Sequence, residues 1–214
     1  MSKPSRRWHM AAMAAAGILA LAGLASPADA LQLRSETRGF MIGAHASSTS
    51  LEIEDGDRET GGGGGITVAY GVSRRVALFL GLTGTSIRVS NPAIGDEYTL
   101  GQADLGVRVS FRQPEDRFIP YVVAALNGMT ASADVEMGNG VTVDAEMRGG
   151  GLTLGGGFSH YFSPAWALDV SLLLTGARFT ELQFGPFSAQ IPDDLDASAG
   201  RLTVGLNWLP GGGG

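Results

Sequence analysis

"GGGLTLGGGFSHYF", residues 149–162, decides how the whole chain is read. Glycine triplets alone would suggest a flexible linker. Here they bracket Leu152-Thr153-Leu154 and run into Phe158, His160, Tyr161 and Phe162, which no linker needs. Leu152, Leu154 and Phe158 alternate with Thr153, Gly155, Gly157 and Ser159, the period of a strand whose two faces differ in polarity. The stretch is expected to be an ordered strand with one greasy face and one face almost free of side chains. Residues 149–151 either continue that strand or fray into the loop before it.

The same period recurs along the chain. Val76, Leu78, Leu80 and Leu82 oppose Ala77, Phe79, Gly81 and Thr83. Ala103, Leu105, Val107, Val109 and Phe111 oppose Gln102, Asp104, Gly106, Arg108 and Ser110. Trp166, Leu168, Val170, Leu172 and Leu174 oppose Asp169, Ser171, Leu173 and Thr175. Leu202, Val204, Leu206 and Trp208 oppose Arg201, Thr203, Gly205 and Asn207. Weaker alternation appears at 40–47 and 65–71. The run from Phe118 to Ala133 is apolar on both faces at first, and Asn127 marks Val122, Ala124 and Leu126 as its greasy side. With the opening stretch, eight strands are expected and no long amphipathic helix.

The connections are unequal. Residues 71–75, 112–117 and 162–165 read as short turns, while 54–63, 90–97, 136–142 and 185–198 read as longer loops. Short and long alternate strictly, which an all-β, eight-stranded antiparallel up-and-down barrel would produce.

Residues 1–30 read as a signal peptide. Lys3, Arg6 and Arg7 precede the apolar run 11–25, and Ala28-Asp29-Ala30 supplies a cleavage site, so the mature chain is expected to start at Leu31. The run is short for a transmembrane helix, which needs about 20 apolar residues. The barrel is assigned to residues 31–210 and a glycine tail to 211–214. Removing Lys3, Arg6, Arg7 and Asp29 takes the formal net charge from −6 to about −8, a balance that suggests no nucleic-acid partner. The absence of cysteine excludes a disulfide framework, a thiol nucleophile and a lipidated N-terminal cysteine.

Period two does not say which face is outside. A soluble lipocalin-like barrel turns its apolar face inward around a ligand; a membrane barrel turns it to lipid. Three features favour the membrane. Aromatic residues sit at strand ends beside the short turns or termini: Phe40, Tyr70, Phe111, Tyr121 (or Phe118), Tyr161 (or Phe162), Trp166 and Trp208. That is an interfacial girdle at one rim. The opposite face is small and polar and carries Asp104, Arg108, Asp169 and Arg201, a poor lining for an apolar ligand. Loop asymmetry joined to an export signal is the third.

On these residues, with "FIPYVVAALN" (118–127) opening the fifth strand and "RLTVGLNW" (201–208) closing the last, the chain resembles the small eight-stranded outer-membrane barrels of the OmpX, OmpW and OmpA-barrel group. The resemblance implies an integral, porin-like protein of the Gram-negative outer membrane. It implies contact with outer-membrane lipid and lipopolysaccharide, and insertion by the barrel-assembly machinery through a final strand ending in Trp208. The chain departs from the pattern by adding Leu209, Pro210 and four glycines. No peptidoglycan-binding segment is expected after the barrel.

Four charged residues are candidates for lumen ion pairs. Asp104 and Arg108 stand about 13 Å apart on one strand, at ~3.3 Å per residue, so each needs a partner elsewhere. Counting inward from the rim aromatics puts Arg108 level with Asp169, and Asp104 level with Arg201. His45 and Ser47 share a strand face and resemble the His-x-Ser arrangement of lipid A deacylases, but they fall on the polar face and no acid orients the histidine. No catalytic residue, cofactor or metal ligand is therefore assigned. His160 falls on the lipid side near the rim. Glu52, Glu54, Asp55 and Asp57, and Asp193, Asp194 and Asp196, read as solvated acidic surface loops. The expected role is a structural or interaction scaffold with a filled lumen. The alternatives are an OmpW-like passive conduit for small, mainly apolar molecules and, third, a lipid A-modifying enzyme.

Overall fold

A computed structural model describes residues 39–53, 57–88, 97–111, 117–137, 141–184 and 187–210. Eight strands run in chain order: β1 (Gly39–Ile53), β2 (Glu59–Gly71), β3 (Val76–Arg88), β4 (Glu97–Ser110), β5 (Phe118–Met137), β6 (Val141–Tyr161), β7 (Trp166–Phe184) and β8 (Phe187–Trp208). Each pairs antiparallel with the next, and β8 returns to β1 through Ile42↔Trp208 to Ile53↔Ala197, closing the barrel. Closure leaves no free edge along the membrane-spanning wall, which is what lipid demands of a β-structure.

The alternation is inside out near the short turns. Phe40, Ile42, Ile66, Leu80, Leu105, Leu126, Leu154, Leu174 and Leu206 all face outward and are exposed. This apolar band runs from Phe111, just past the end of β4, to Ala103, and from Phe162, just past the end of β6, to Leu152. Those spans are about 26–33 Å along the strand, or about 20–25 Å along the normal at a ~40° tilt, enough for the hydrocarbon layer.

Above the band the alternation reverses. On seven strands a glycine is the first outward position past it: Gly64, Gly84, Gly101, Gly128, Gly150, Gly176 and Gly200. Beyond these, outward positions are polar, such as Ser86, Thr99, Ser132, Arg178 and Ser198. Inward positions become Leu51, Ile87, Leu100, Met129, Phe179 and Ala197, which pack as one buried cluster. Outside the bilayer the wall stands in water and must bury its apolar face like a soluble protein. The glycines mark the level where the solvent changes.

This reversal corrects the expected loops. Half of 54–63 and most of 136–142 and 185–198 is strand, and the strands leave only residues 54–58, 89–96, 138–140 and 185–186 between them at the distal end. The asymmetry lies in strand length: β1–β4 have 13 to 15 residues and β5–β8 have 19 to 22. Glycine-rich and acidic segments read as loops, yet they can serve as wall once the apolar side has turned inward. "GGGGG" (61–65) lies wholly within β2, and residues 149–151 continue β6. On β8 the register passes from Leu195 opposite Phe179 to Gln190 opposite Glu181. Residues 191–194 form a bulge there, where Pro192 needs no ladder hydrogen bond.

Candidate functional site

The interior is stacked in layers. At the mouth beside the short turns, the periplasmic end in outer-membrane barrels, Ile119, Tyr161, Ala167 and Leu209 form a buried apolar cluster with Met41 against it. Leu209 is fixed by its amide, which donates to the Ala165 carbonyl at 2.8 Å.

Above it lies the first charged layer. Arg108 Nη2 donates to Asp169 Oδ2 at 3.0 Å and also to Ser159 Oγ. Asp169 further accepts from the Tyr121 hydroxyl and from Ser159 Oγ, both at 2.6 Å. The Arg108 guanidinium lies 3.5 Å over the Tyr121 ring, adding a cation–π contact.

The second layer is drier. Arg201 Nη2 donates to Asp104 Oδ2, and Nη1 donates to Gln102 Oε1 at 2.8 Å. Asp104 Oδ1 accepts from Asn127 Nδ2 at 2.8 Å and from Thr153 Oγ1 at 3.0 Å. Both charged residues are 3% exposed. Buried charge is tolerable only when paired and hydrogen-bonded; both charges of each layer are paired, while in the second layer Arg201 Nε, Gln102 Nε2 and Asn127 Oδ1 have no partner among the described residues. A cavity of about 80 Å³ touches His45, Asp104, Arg108, Asp169 and Arg201, room for a few waters and no organic ligand. The distal apolar cluster closes the lumen above.

Period two places all four charges inward, and the antiparallel register sets their depth. Small neighbours make room for them. A Cβ on Gly155 would stand 2.3 Å from the Leu172 carbonyl, and one on Gly157 2.2 Å from that of Val170, so only glycine fits. Gln102, Asn127, Thr153 and Ser159 complete the networks without having been singled out in the sequence. Each shares the inward parity of Asp104 or Asp169, which is the signal that would have found them.

Two rim assignments need correction. Tyr121 and Tyr161 are 4% and 3% exposed and point into the lumen. Phe118 and Phe162, 52% and 49% exposed, hold the rim positions instead. Parity is the reason. Tyr121 shares a face with Val123 and Asn127, and Tyr161 with Ser159, so neither reaches lipid. Phe40, Tyr70, Phe111, Trp166 and Trp208 are exposed on the outer wall at one level, with Phe40 and Tyr70 edge-to-face at 5.1 Å and Phe118 stacked on Phe158 at 4.6 Å.

His45 faces the lumen and shares a hydrogen bond with Thr83 Oγ1 at 3.1 Å. Ser47 Oγ is buried with no hydrogen-bond partner among the described residues. His160 lies exposed on the outer wall opposite Phe118. Four of the seven acidic residues expected in loops, Glu52, Asp193, Asp194 and Asp196, lie in strands. Glu52 lies in β1 and binds Arg58 at 2.9 Å, and Asp196 lies in β8 and binds Arg178 at 2.8 Å. Asp57 is exposed in a connection; Asp193 and Asp194 lie in β8 with their side chains outside the described residues, and Glu54 and Asp55 lie outside the described residues altogether. No group of three or more metal-binding side chains occurs among the described residues. Above the membrane, burial and a hydrogen bond to Glu59 push the Tyr98 phenol above its usual range.

The family model described as the outer membrane protein beta-barrel domain matches residues 16–208. No curated protein sequence matches the chain at a significant level. Among solved structures, Neisserial surface protein A is similar at 17% identity and a TM-score of 0.56, over 80% of this chain and 97% of that one. OprG of Pseudomonas aeruginosa is similar at 12% identity and 0.57, over 82% and 98%. Ail of Yersinia pestis is similar at 11% identity and 0.50, over 80% and 99%. At such identities the likeness is one of fold. Since the family match runs through Trp208 and the wall is closed with its apolar face to lipid, the chain belongs to the outer-membrane β-barrel proteins and resides in the outer membrane.

Proposed function

We propose that this barrel is a non-conducting scaffold whose work is done at its surfaces. The observation that carries the reading is the layered lumen: two apolar clusters enclose two hydrogen-bonded ion-pair layers. An eight-stranded interior is just wide enough for side chains to fill it. A conduit for small apolar molecules would have to pass four charges and the side chains of Phe179 and Tyr161. The surface available for interaction is the emergent wall of β5–β8, and lipopolysaccharide is its natural surrounding. We assign insertion to the barrel-assembly machinery, through the strand closing on Trp208. Residues 1–30 serve in this reading as a cleaved export signal; they lie outside the described residues.

Planar-bilayer recording tests the scaffold reading. The expected result is a silent bilayer at protein densities where a porin conducts. Steady unitary currents that a bulkier lumen residue, such as Ser171→Phe, abolishes would overturn it. A lipid A-modifying role predicts altered lipid A masses in cells carrying the protein, lost on His45→Ala. The scaffold reading predicts identical spectra.

A further inference from the structure

We propose that the periplasmic rim at the turn between β2 and β3 is a binding site for anionic phospholipid of the inner leaflet. Two observations carry it. The first is the construction of the turn. Val72 and Ser73 amides donate to the Val76 carbonyl at 3.0 and 3.1 Å, and Ser73 Oγ accepts from the amides of Val76 at 3.1 Å and Arg75 at 3.3 Å. The Arg75 carbonyl accepts from the Ser110 amide at 2.7 Å, tying the turn to β4. A rigid turn therefore presents Arg74 and Arg75, both exposed, beside Val72, which is exposed as well. On the adjoining wall stands the edge-to-face pair Phe40 and Tyr70. Acyl chain lies against the aromatics and Leu78; the phosphodiester meets the guanidiniums, whose planar donors suit phosphate oxygens.

The second observation is the division of charge between the ends. At the distal end, residues 52–59, 88–97, 134–148 and 178–196 carry fifteen Asp and Glu against four Arg. Three of those arginines are held by carboxylates: Arg58 by Glu52, Arg148 by Glu146 and Arg178 by Asp196. At the periplasmic end the connections 71–75, 112–117 and 162–165 carry Arg74, Arg75, Arg112 and Arg117 against Glu115 and Asp116, so that end is net basic, and Arg75 makes no ion pair with another described residue. An anionic surface is thus attracted at one rim and repelled at the other. The leaflet that meets the basic rim is the periplasmic one, and its charged component is phospholipid.

The tryptophans supply the assay. Of three in the sequence, Trp8 lies in the expected leader, while Trp166 and Trp208 are register partners on the outer wall at this rim. Trp208 lies across β1 from β2. The folded barrel is placed in phosphatidylcholine bilayers containing brominated phosphatidylglycerol or, in parallel, brominated phosphatidylcholine, and fluorescence quenching is read against mole fraction. About fivefold preference per arginine is expected for the anionic lipid. R74Q/R75Q should bring the preference close to one, R74K/R75K should keep most of it, and R148Q/R178Q should leave it unchanged. Equal quenching by the two lipids in the unaltered protein overturns the proposal without any variant. So does a preference that survives R74Q/R75Q in barrels with normal heat-modifiable mobility. Silent bilayers and lipid preference are separate readouts, so neither result decides the other.

Discussion

Replacing Asp104 by leucine tests the lumen more sharply than any other single change. Asp104 accepts from Arg201, from Asn127 at 2.8 Å and from Thr153 at 3.0 Å. Thr153 keeps a partner in Thr175 at 2.8 Å, but Asn127 Nδ2 loses its acceptor. Arg201 keeps Gln102 and remains a buried charge without a counter-ion. Stranding a buried charge costs about 3–5 kcal/mol, and the orphaned amide adds about 1 kcal/mol. Asp104→Leu should therefore lose about 4–6 kcal/mol. Adding Arg201→Met removes the stranded charge and leaves only the unpartnered amides of Asn127 and Gln102, together about 2 kcal/mol. The double variant should thus be more stable than Asp104→Leu by about 2–4 kcal/mol. Reversible urea unfolding in phospholipid vesicles, followed by Trp166 and Trp208 fluorescence, measures all three proteins. A double variant no more stable than Asp104→Leu would refute the reasoning, because the loss would then come from packing rather than from charge.

Glycine position should matter by face. Gly155→Val drives a side chain into the Leu172 carbonyl and should lose more than about 3 kcal/mol or abolish assembly, whereas Gly128, with nothing within 4 Å of a Cβ, should accept valine within about 1 kcal/mol, both read by heat-modifiable gel mobility. Tyr98 sets a pH dependence. Its phenol is harder to ionise when folded than when unfolded, so its contribution to stability is complete below pH ~10 and declines as pH rises towards the folded value. Ultraviolet titration of the phenolates should show a lagging fraction in the folded barrel that shrinks by one tyrosine in Tyr98→Phe. N-terminal sequencing of the protein from outer membranes should begin at Leu31; a start at Met1 would remove the leader assignment.

Much of the site was legible because parity along a strand is local. Alternation at 102–111 and 201–208 put Asp104, Arg108 and Arg201 on one face, and distance from Phe111, Trp166 and Trp208 ranked their depth. Aromatic position was only half legible. Distance to the turn says that Tyr121 and Tyr161 are near the rim, but only parity says that they face inward, and the doubly apolar run from Phe118 hid it. The distal wall was illegible for a physical reason. Its pattern is the membrane pattern with the sign reversed, and a pattern that changes sign midway along β5–β8 looks like the end of a strand.

What the amino-acid order determined by itself is the class: eight alternating segments with apolar, girdled faces have one stable arrangement, a closed wall in lipid. Tertiary structure alone decided the rest. The irregularities at Arg148/Gly149 and Phe179/Glu181, and the two layers that join β4 to β7 and β8 across the lumen, depend on how far each strand is displaced along its neighbour. That displacement is fixed by closure of the whole ring, and no single strand carries it.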